Sequence, residues 1–325
     1  MAKEAPPSPS TRASRPSRAG RVALVGRPNV GKSTLLNALL GEHLAVTSHH
    51  PQTTRDRIVG VLSEREAQFV LVDTPGLHTA KTRLGVRMNQ EARGAIEGSD
   101  VVVFVTDVRE RPTPAVEPGD APLLSSLPSS LPVVLVVNKV DRVKDKTLLF
   151  PLLEAYAAAR DFAALIPLSA KRDPRVVPLV DALRKLLPEG EKAYADDTLT
   201  DRPARFFVAE LVREQILKKT RAEVPHGVAV VVERFDEAGK TVKIDLSVVV
   251  DKESHKKIVI GRAGALLKSI GSDARRKIEA LLGRKVHLAL WVKVVPRWYE
   301  SDAKLVEMGY GDGGQAPMRD ELGDA

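Results

Sequence analysis

The chain has 325 residues and no cysteine, which excludes disulfide bonds and thiolate metal sites and is compatible with a reducing compartment. Its 43% hydrophobic and 28% charged residues are ordinary for a globular protein, and no apolar run approaches the roughly 18 residues that a membrane-spanning helix needs. The net charge is +8, and residues 250–297 hold twelve Lys and Arg against four Asp and Glu, which favours a polyanionic partner.

The N-terminal segment, residues 1–20, is basic and rich in proline and serine. This composition predicts a disordered tail, because it offers too little apolar surface to pack. No apolar segment typical of a secretory signal follows it. We therefore do not expect a secretory signal here.

From Arg21 onwards, apolar strand patterns alternate with helical ones. The predicted strands are 21–26, 57–63, 67–73, 100–107, 132–138 and 163–168, and the predicted helices are 32–41, 84–97, 147–159 and 176–187. The continuous apolar runs at 101–105 and 133–137 are typical of parallel strands that are covered on both faces. The alternation predicts a doubly wound α/β domain over residues 21–187, with a proline-rich surface loop at 111–132.

A polar segment without periodicity, residues 188–203, predicts a linker to a second domain over residues 204–300. The pattern there predicts a helix at 204–219, strands at 227–234 and 241–250, helices at 252–259 and 265–282, and a strand at 285–294. This order indicates an α+β domain whose first two strands are joined by a turn at 237–239. The glycine- and aspartate-rich composition of residues 301–325 predicts a C-terminal tail.

The most informative motif follows the first strand, where residues 26–33 read G-x-x-x-x-G-K-S and lead into a helix. In such a loop the backbone amides surround phosphates, Lys32 can reach the β- and γ-phosphates, and the hydroxyl of Ser33 can bind Mg²⁺. The predicted nucleotide contacts in this loop are Gly26, Arg27, Pro28, Asn29, Val30, Gly31, Lys32, Ser33 and Thr34.

Two further segments fit the phosphate end of such a site. Residues 73–76 read Asp73-Thr74-Pro75-Gly76 at the end of a strand, where the carboxylate can hold Mg²⁺ and the Gly76 amide can meet a γ-phosphate. Residues 52–56 are polar and follow the first helix, so they predict a mobile switch loop. In that loop we favour Thr54 over Thr53 as the residue that reaches Mg²⁺.

Two other segments fit a base pocket. Asn138, Lys139 and Asp141 end another predicted strand, where a carboxylate can accept the two hydrogen bonds that guanine donates and adenine does not. The loop Ser169-Ala170-Lys171 follows the last strand of the domain and can offer a backbone amide to guanine O6.

Together these motifs resemble the small GTPase superfamily over residues 21–187. The resemblance implies in-line attack of water on the γ-phosphate of GTP, with Lys32, Thr54 and Gly76 as catalytic residues. It also implies Mg²⁺ held by Ser33, Thr54 and Asp73.

The chain departs from the Ras-type pattern in two places. Leu77, which we also assign to the nucleotide site, stands where Ras-type enzymes place a glutamine that orients water, and this predicts slow intrinsic hydrolysis. Pro28 crowds the place of an incoming arginine finger. In related GTPases an asparagine at the position of Asn29 binds K⁺ beside the phosphates, so K⁺ is the expected substitute for the finger's charge.

In the second domain, residues 261–264 read Gly-Arg-Ala-Gly between two helices, which is either a simple helix–helix corner or the G-x-x-G loop of a KH domain that clamps about four nucleotides. Flanking basic residues and the bacterial order of KH elements favour the second interpretation. The predicted RNA contacts are Lys252, Lys256, Lys257, Ile260, Gly261, Arg262, Ala263, Gly264, Lys268, Arg275 and Arg276. We expect an apolar groove lined by Ile260, Leu266 and Ile270, and we expect Phe206 and Phe207 in the core.

Longer strings at 53–55, 73–78, 224–230, 254–257 and 286–294 make the chain resemble the bacterial Era GTPases over roughly residues 20–310. This resemblance implies a protein that binds the 3′ end of 16S ribosomal RNA through its KH domain and acts in maturation of the 30S subunit, with nucleotide state controlling RNA binding. It also implies a cytoplasmic location with peripheral association with the inner membrane. We expect a monomer.

Two alternatives stay open at this point. The basic half can instead bind an anionic membrane, although helix 265–282 lacks the bulky aromatic anchors of such helices. Leu77 also allows a nucleotide-gated scaffold with negligible turnover.

Overall fold

The computed structural model describes residues 17–47, 53–173, 176–220, 224 and 227–310. The first domain is built on a six-stranded sheet in the order β2-β3-β1-β4-β5-β6, in which only the β2–β3 pair is antiparallel. The strands are β1 (Arg18–Val25), β2 (Ile58–Ser63), β3 (Ala67–Asp73), β4 (Val101–Asp107), β5 (Val133–Asn138) and β6 (Ala164–Pro167). The α/β class predicted for residues 21–187 is confirmed.

Helices cover both faces of this sheet. They are α1 (Lys32–Leu40), α2 (Arg83–Glu97), α3 (Ala121–Ser126), α4 (Leu149–Ala159) and α5 (Val177–Leu186). Alternate residues of β1 point into different apolar clusters, Val22 and Leu24 into one and Ala23 and Val25 into the other. The continuous apolar runs of β4 and β5 are buried for the same reason, since both of their faces lie under helices.

The second domain has a three-stranded sheet in the order β7-β8-β9, formed by β7 (Val228–Asp236), β8 (Thr241–Val250) and β9 (Lys285–Val294). The first pair is antiparallel and the second is parallel. The helices α6 (Ala204–Lys219), α7 (Glu253–Ile260) and α8 (Ala265–Leu282) pack on this sheet, and α9 (Asp302–Glu307) follows it. The predicted element order is confirmed, with bounds that differ by one or two residues.

The segment predicted as a linker, residues 188–203, contains no named helix or strand, and it is bonded to the first sheet. Glu189 forms a bridge with Arg18, so β1 begins three residues inside the predicted tail. Further along, the amide of Val61 donates to the carbonyl of Leu199 at 2.8 Å, and Thr200 donates to the carbonyl of Val59 at 2.6 Å. These bonds hold the segment along the edge of the first sheet at β2, which would otherwise expose unpaired backbone groups.

Two other expectations are wrong. The proline-rich stretch 111–132 contains α3, which begins after Asp120, a residue with no exposed surface. That carboxylate accepts hydrogen bonds from Arg27, Thr106 and Tyr156, so the stretch is anchored to the sheet. The first ten residues of the predicted C-terminal tail are also ordered into structure, with α9 and a buried Tyr310. Residues 1–16 and 311–325 lie outside the described part of the chain.

Within the described residues, no helix has the length and apolar character required to cross a membrane.

Candidate functional site

The loop between β1 and α1 is shaped by two glycines in conformations that other residues rarely adopt. Gly26 has φ 152° and Gly31 has φ 104°. A Cβ atom at Gly26 would lie 2.2 Å from the carbonyl oxygen of Val105, and one at Gly31 would lie 2.3 Å from the side-chain nitrogen of Asn138. Both positions therefore require glycine, and the loop wraps closely against β4 and the end of β5.

Lys32 opens α1 and is almost fully buried in this loop. Its Nζ donates to the carbonyl oxygens of Gly26 and Arg27, each at 3.0 Å. Burial lowers the pKa of Lys32 to about 8, against a partly compensating attraction from Asp73. The ammonium group is thus held at the centre of the loop, where phosphate oxygens would be its natural acceptors.

Three oxygen-bearing side chains meet beside Lys32. The hydroxyl of Ser33 donates to Asp73 Oδ2 at 2.6 Å and lies 2.9 Å from the hydroxyl of Thr54, which is itself 3.3 Å from Asp73 Oδ2. Burial raises the pKa of Asp73, and no donor among the described residues bonds its Oδ1 atom. A carboxylate and two hydroxyls form the hard oxygen set that Mg²⁺ prefers, so the cluster fits this ion.

A second group of side chains closes the other end of the site. Asn138 donates to the carbonyl of Val30 at 2.9 Å and accepts from the amides of Lys139 and Ala170 at 2.7 and 3.0 Å. It therefore joins the phosphate loop to the loop after β6. Lys139, at φ 61°, donates to the carbonyl of Asn29 at 2.6 Å and to Asp107 at 2.9 Å.

Asp141 follows these residues in the chain, and its carboxylate lies 3.8 Å from the guanidinium of Arg172. The hydroxyl of Ser169 donates to that carboxylate at 2.7 Å, and this bond holds the pKa of Asp141 below its usual value. The group is thus ionised at neutral pH and can accept the paired N–H donors of a purine ring. The amide of Ser169 donates to Asp173, and the amide of Ala170 donates to Asn138. Ser169 and Ala170 therefore fix the shape of the loop.

A cavity of about 600 Å³ joins the two groups of side chains. Thirteen of the predicted nucleotide-site residues line it: Pro28, Asn29, Gly31, Lys32, Ser33, Thr34, Thr54, Gly76, Asn138, Lys139, Asp141, Ser169 and Lys171. Gly26, Val30, Asp73, Thr74, Pro75 and Ala170 lie outside its wall. Thr74 donates to the carbonyl of Leu24 and is buried, so it holds β3 to β1.

Two predicted contacts point away from the cavity. Arg27 donates to Asp120 at 2.7 Å and forms an ion pair with Asp107 at 3.3 Å, which ties its guanidinium to the sheet. Leu77 packs against the apolar cluster on the α4 face of the sheet. Pro28 lies close to Gly76, where an added Cβ would come within 2.8 Å of the proline nitrogen.

The cavity wall also contains residues that the motifs did not identify: Val46, Thr47, Thr53, Arg142, Leu217 and Lys218. Arg142 is one residue beyond a recognised motif, and Thr53 is in the predicted switch loop. Leu217 and Lys218 belong to α6, in the second domain. No local pattern marks them, because they reach the site only through the packing of the two domains.

The described part of the switch loop is bonded to the second domain at two points. Arg213 of α6 donates to the carbonyl of Thr53, and the second point is Arg55, which follows Thr54. Its guanidinium donates to the carbonyl of Val228 at 2.6 Å and to the hydroxyl of Tyr310 at 3.1 Å. It also lies 5.7 Å from the ring centre of Trp298 and 6.0 Å from that of Tyr310. Leu84 and Met88 of α2 pack in the same apolar cluster as both aromatic residues.

The predicted RNA-binding loop is exposed between α7 and α8. Gly261 has φ 72°, and a Cβ there would lie 2.6 Å from the Cβ of Leu266. Ala263 at φ 49° and Gly264 at φ 78° continue the left-handed backbone. The predicted basic contacts Lys252, Lys257, Arg262, Lys268, Arg275 and Arg276 are exposed, and Lys256 is half-buried.

The apolar groove predicted beside this loop is only partly correct. Ile260 and Leu266 are half-buried, but Ile270 has no exposed surface and belongs to the core under the sheet. Ile270 therefore cannot line a groove that a base enters. Phe207 is buried as predicted and Phe206 packs against the same cluster, although that cluster belongs to the first domain.

Comparisons with known proteins agree with this geometry. Residues 21–139 match the family described as 50S ribosome-binding GTPase, and residues 223–299 match the KH domain family. The chain is 46% identical to the GTPase Era of Trichlorobacter lovleyi over 294 residues, which is 90% of this chain and 98% of that protein. It is 46% identical to the GTPase Era of Marinobacter nauticus over 298 residues, or 91% and 96%.

Two solved structures extend the comparison to three dimensions. One is an Aquifex aeolicus Era variant bound to GDP and aluminium fluoride, with a TM-score of 0.85. The other is Era in complex with MgGDPNP and nucleotides 1506–1542 of 16S ribosomal RNA, with a TM-score of 0.86. Each is 37% identical to this chain, and each alignment covers 90% of this chain and 99% of the solved one.

Proposed function

Since the chain belongs to the Era family of GTPases, it hydrolyses GTP to GDP and phosphate, and we propose that it binds the 3′ end of 16S ribosomal RNA in maturation of the 30S subunit. The observation that carries this proposal is the presence of two sites in one chain. A nucleotide cavity lies in the first domain, and an exposed basic G-x-x-G loop lies in the second.

In the nucleotide site, residues 26–34 surround the phosphates and Lys32 neutralises the β- and γ-phosphates. Ser33, Thr54 and Asp73 would hold Mg²⁺, which would supply charge neutralisation at the phosphates. Asp141 accepts the N1–H and amino group of guanine, and Asn138 keeps the phosphate and base ends of the site in register. The Gly76 amide meets the γ-phosphate.

Hydrolysis in this chain proceeds without a water-orienting side chain at position 77, because leucine has no group that can hydrogen-bond water; Leu77 packs against an apolar cluster instead. Backbone amides and Lys32 therefore provide most of the stabilisation of transition-state charge. We assign K⁺ to the Asn29 position as the additional cation. Rates of GTP hydrolysis that are equal in K⁺ and Na⁺ buffers would remove that assignment.

Nucleotide state controls RNA binding through the switch loop. Thr54, at the Mg²⁺ cluster, is adjacent to Arg55, which is bonded to the second domain at Val228 and Tyr310. A γ-phosphate that orders Thr54 thereby favours one placement of the second domain, and hydrolysis releases it. The RNA side consists of residues 261–264 with the surrounding lysines and arginines.

The rest of the proposal concerns location and assembly. We assign the protein to the cytoplasm as a monomer, with peripheral attachment to the inner face of the cell membrane through its basic half. We retain a division into a GTPase domain and a KH domain, with the first domain beginning at Arg18 and the second extending to Tyr310.

Crosslinking in cells, followed by sequencing of the attached RNA, tests the proposal. We expect crosslinks concentrated at the 3′ end of 16S ribosomal RNA, and a Gly261→Asp variant that loses them while still binding GTP. Filter binding of the purified protein to RNA and to anionic vesicles gives the complementary comparison. If the protein binds the vesicles but not the RNA, the RNA assignment is wrong and membrane binding replaces it.

A further inference from the structure

The second domain reaches into the nucleotide cavity through the last turns of α6. Leu217 and Lys218 form part of the cavity wall together with Val46 and Thr47 from the loop after α1. The side chain of Lys218 is 42% exposed, so its ammonium group is accessible from the cavity and from solvent. It is the one cation among the lining residues that the second domain contributes, within the described part of the chain.

A buried carboxylate holds Lys218 in this place. Glu214, one turn earlier on α6, has no exposed surface and accepts a hydrogen bond from Lys218 Nζ at 2.8 Å. The same carboxylate accepts from Lys277 on α8 and lies 3.5 Å from Nε2 of His43, which follows α1. Burial alone would raise the pKa of Glu214, but the bonds from these three residues outweigh burial and leave the pKa below its usual value.

Glu214 therefore gathers one basic group from each of three places: the loop after α1, the cavity wall and the basic helix α8. Because it is ionised and fully buried, its geometry is fixed by these partners. Lys218 is held by one bond and keeps its remaining two ammonium protons for another acceptor. A nucleotide in the cavity supplies such acceptors in its phosphate and ribose oxygens.

We propose that Lys218 is a nucleotide-binding residue contributed by the second domain, and that Glu214 is the residue that positions it. This inference rests on the proposed nucleotide site and adds a contact from outside the first domain. It makes nucleotide affinity depend on the apposition of the two domains. It also links the cavity to α8, because Lys218 and Lys277 share the carboxylate of Glu214. An RNA that draws Lys277 away from Glu214 changes how firmly Glu214 holds Lys218.

The test is the affinity of the purified full-length protein for fluorescent GDP and for GDPNP, measured at low and at high salt. Lys218→Met keeps the aliphatic stem and removes the charge. We expect its dissociation constant to rise about five- to twentyfold at low salt, with a smaller difference at high salt because the lost contact is electrostatic. Lys218→Arg should restore most of the affinity.

Lys219→Met is the matched control. Lys219 is the next residue on α6, but it bonds to Ser269 and Asp273 and does not line the cavity. We expect its nucleotide affinity within twofold of the wild type. Glu214→Gln should weaken binding less than Lys218→Met does, because the cation remains but is less well placed.

Unchanged affinity in folded Lys218→Met would overturn the inference, and so would equal losses in the two lysine variants. Thermal unfolding identifies a variant that has failed to fold, and Lys218→Gln then takes its place, with the same expected rise in the dissociation constant and the same overturning results. Lys32→Ala separates this failure from failure of the proposed function. If the wild type binds and Lys32→Ala does not, the nucleotide site stands whatever Lys218 does.

Discussion

Replacement of Arg55 by methionine removes one of the two connections between the switch loop and the second domain, and the bond from Arg213 to the Thr53 carbonyl remains. The substitution keeps an unbranched apolar side chain of similar length but removes the guanidinium. It deletes the hydrogen bonds to the Val228 carbonyl and the Tyr310 hydroxyl, as well as the contacts with the Trp298 and Tyr310 rings. Arg55 itself is only 4% exposed, so water does not replace these partners easily.

The magnitude follows from these contacts. Hydrogen bonds that involve a charged group contribute about 1.5–3 kcal/mol each, and a desolvated cation–π contact contributes about 1–2 kcal/mol. Part of this is offset because the buried guanidinium no longer has to be desolvated. We expect a net loss of about 2–4 kcal/mol in the free energy that holds the switch loop to the second domain. Allosteric couplings between two sites are typically about 1–3 kcal/mol, so the variant should lose a large part of the coupling even though the bond from Arg213 to Thr53 remains.

The assay measures the dissociation constant of a 16S 3′-end oligoribonucleotide with GDPNP and with GDP. In the wild type the two constants should differ by about fivefold or more, and in Arg55→Met their ratio should approach one. Arg57→Met is the control, because Arg57 is 46% exposed and its nearest ion pair, to Glu91, is 3.9 Å long. A wild-type ratio in Arg55→Met, or an equal loss in Arg57→Met, would refute the argument.

Three further substitutions test other parts of the account. Asp141→Asn removes the charged acceptor that Ser169 holds in place, and competition binding should show the preference for GTP over ATP falling by about tenfold or more; unchanged discrimination would disprove the assignment. Gly261→Ala places a Cβ atom 2.6 Å from that of Leu266 and strains φ 72°, so RNA affinity should fall while GTP affinity is kept. Glu214→Gln should lower the free energy of unfolding by about 2 kcal/mol at pH 7. Because the folded pKa of Glu214 lies below its ordinary value of 4.5, this stabilisation is present above pH 4.5 and is lost as the pH falls through the folded pKa. Urea unfolding at pH 7 and pH 3 should therefore show a smaller difference between wild type and variant at pH 3, and equal differences would contradict the assignment.

The parts of the fold and site that could be predicted from the sequence are those set by neighbouring residues. The phosphate loop is local, since Gly26, Gly31 and Lys32 act within one strand–loop–helix unit. The buried strands β4 and β5 could also be predicted, because a strand covered on both faces is apolar at nearly every position. The G-x-x-G loop could be predicted because it, too, is set by neighbouring residues.

The remainder depends on contacts between distant segments. The bond between Arg55 and Tyr310 joins residues 255 positions apart, and no local pattern marks either of them. Lys218 enters the nucleotide cavity because α6 packs against the first domain, where Phe207 joins the core. The polar composition of residues 188–203 does not indicate that this segment bonds to the edge strand β2 and covers it. The proline content of residues 111–132 likewise predicted a loop, although the segment contains α3, which is anchored by the buried Asp120.

Reciprocal calorimetry on the wild-type protein tests the central claim most directly. The dissociation constant of GDPNP is measured with and without saturating 16S 3′-end oligoribonucleotide, and that of the oligoribonucleotide with and without saturating GDPNP. If one chain carries both sites and the switch loop couples them, each ligand must change the affinity of the other by the same factor, which we expect to be about fivefold or more. Absence of RNA binding, or two ligands that bind with no effect on each other, would contradict the account.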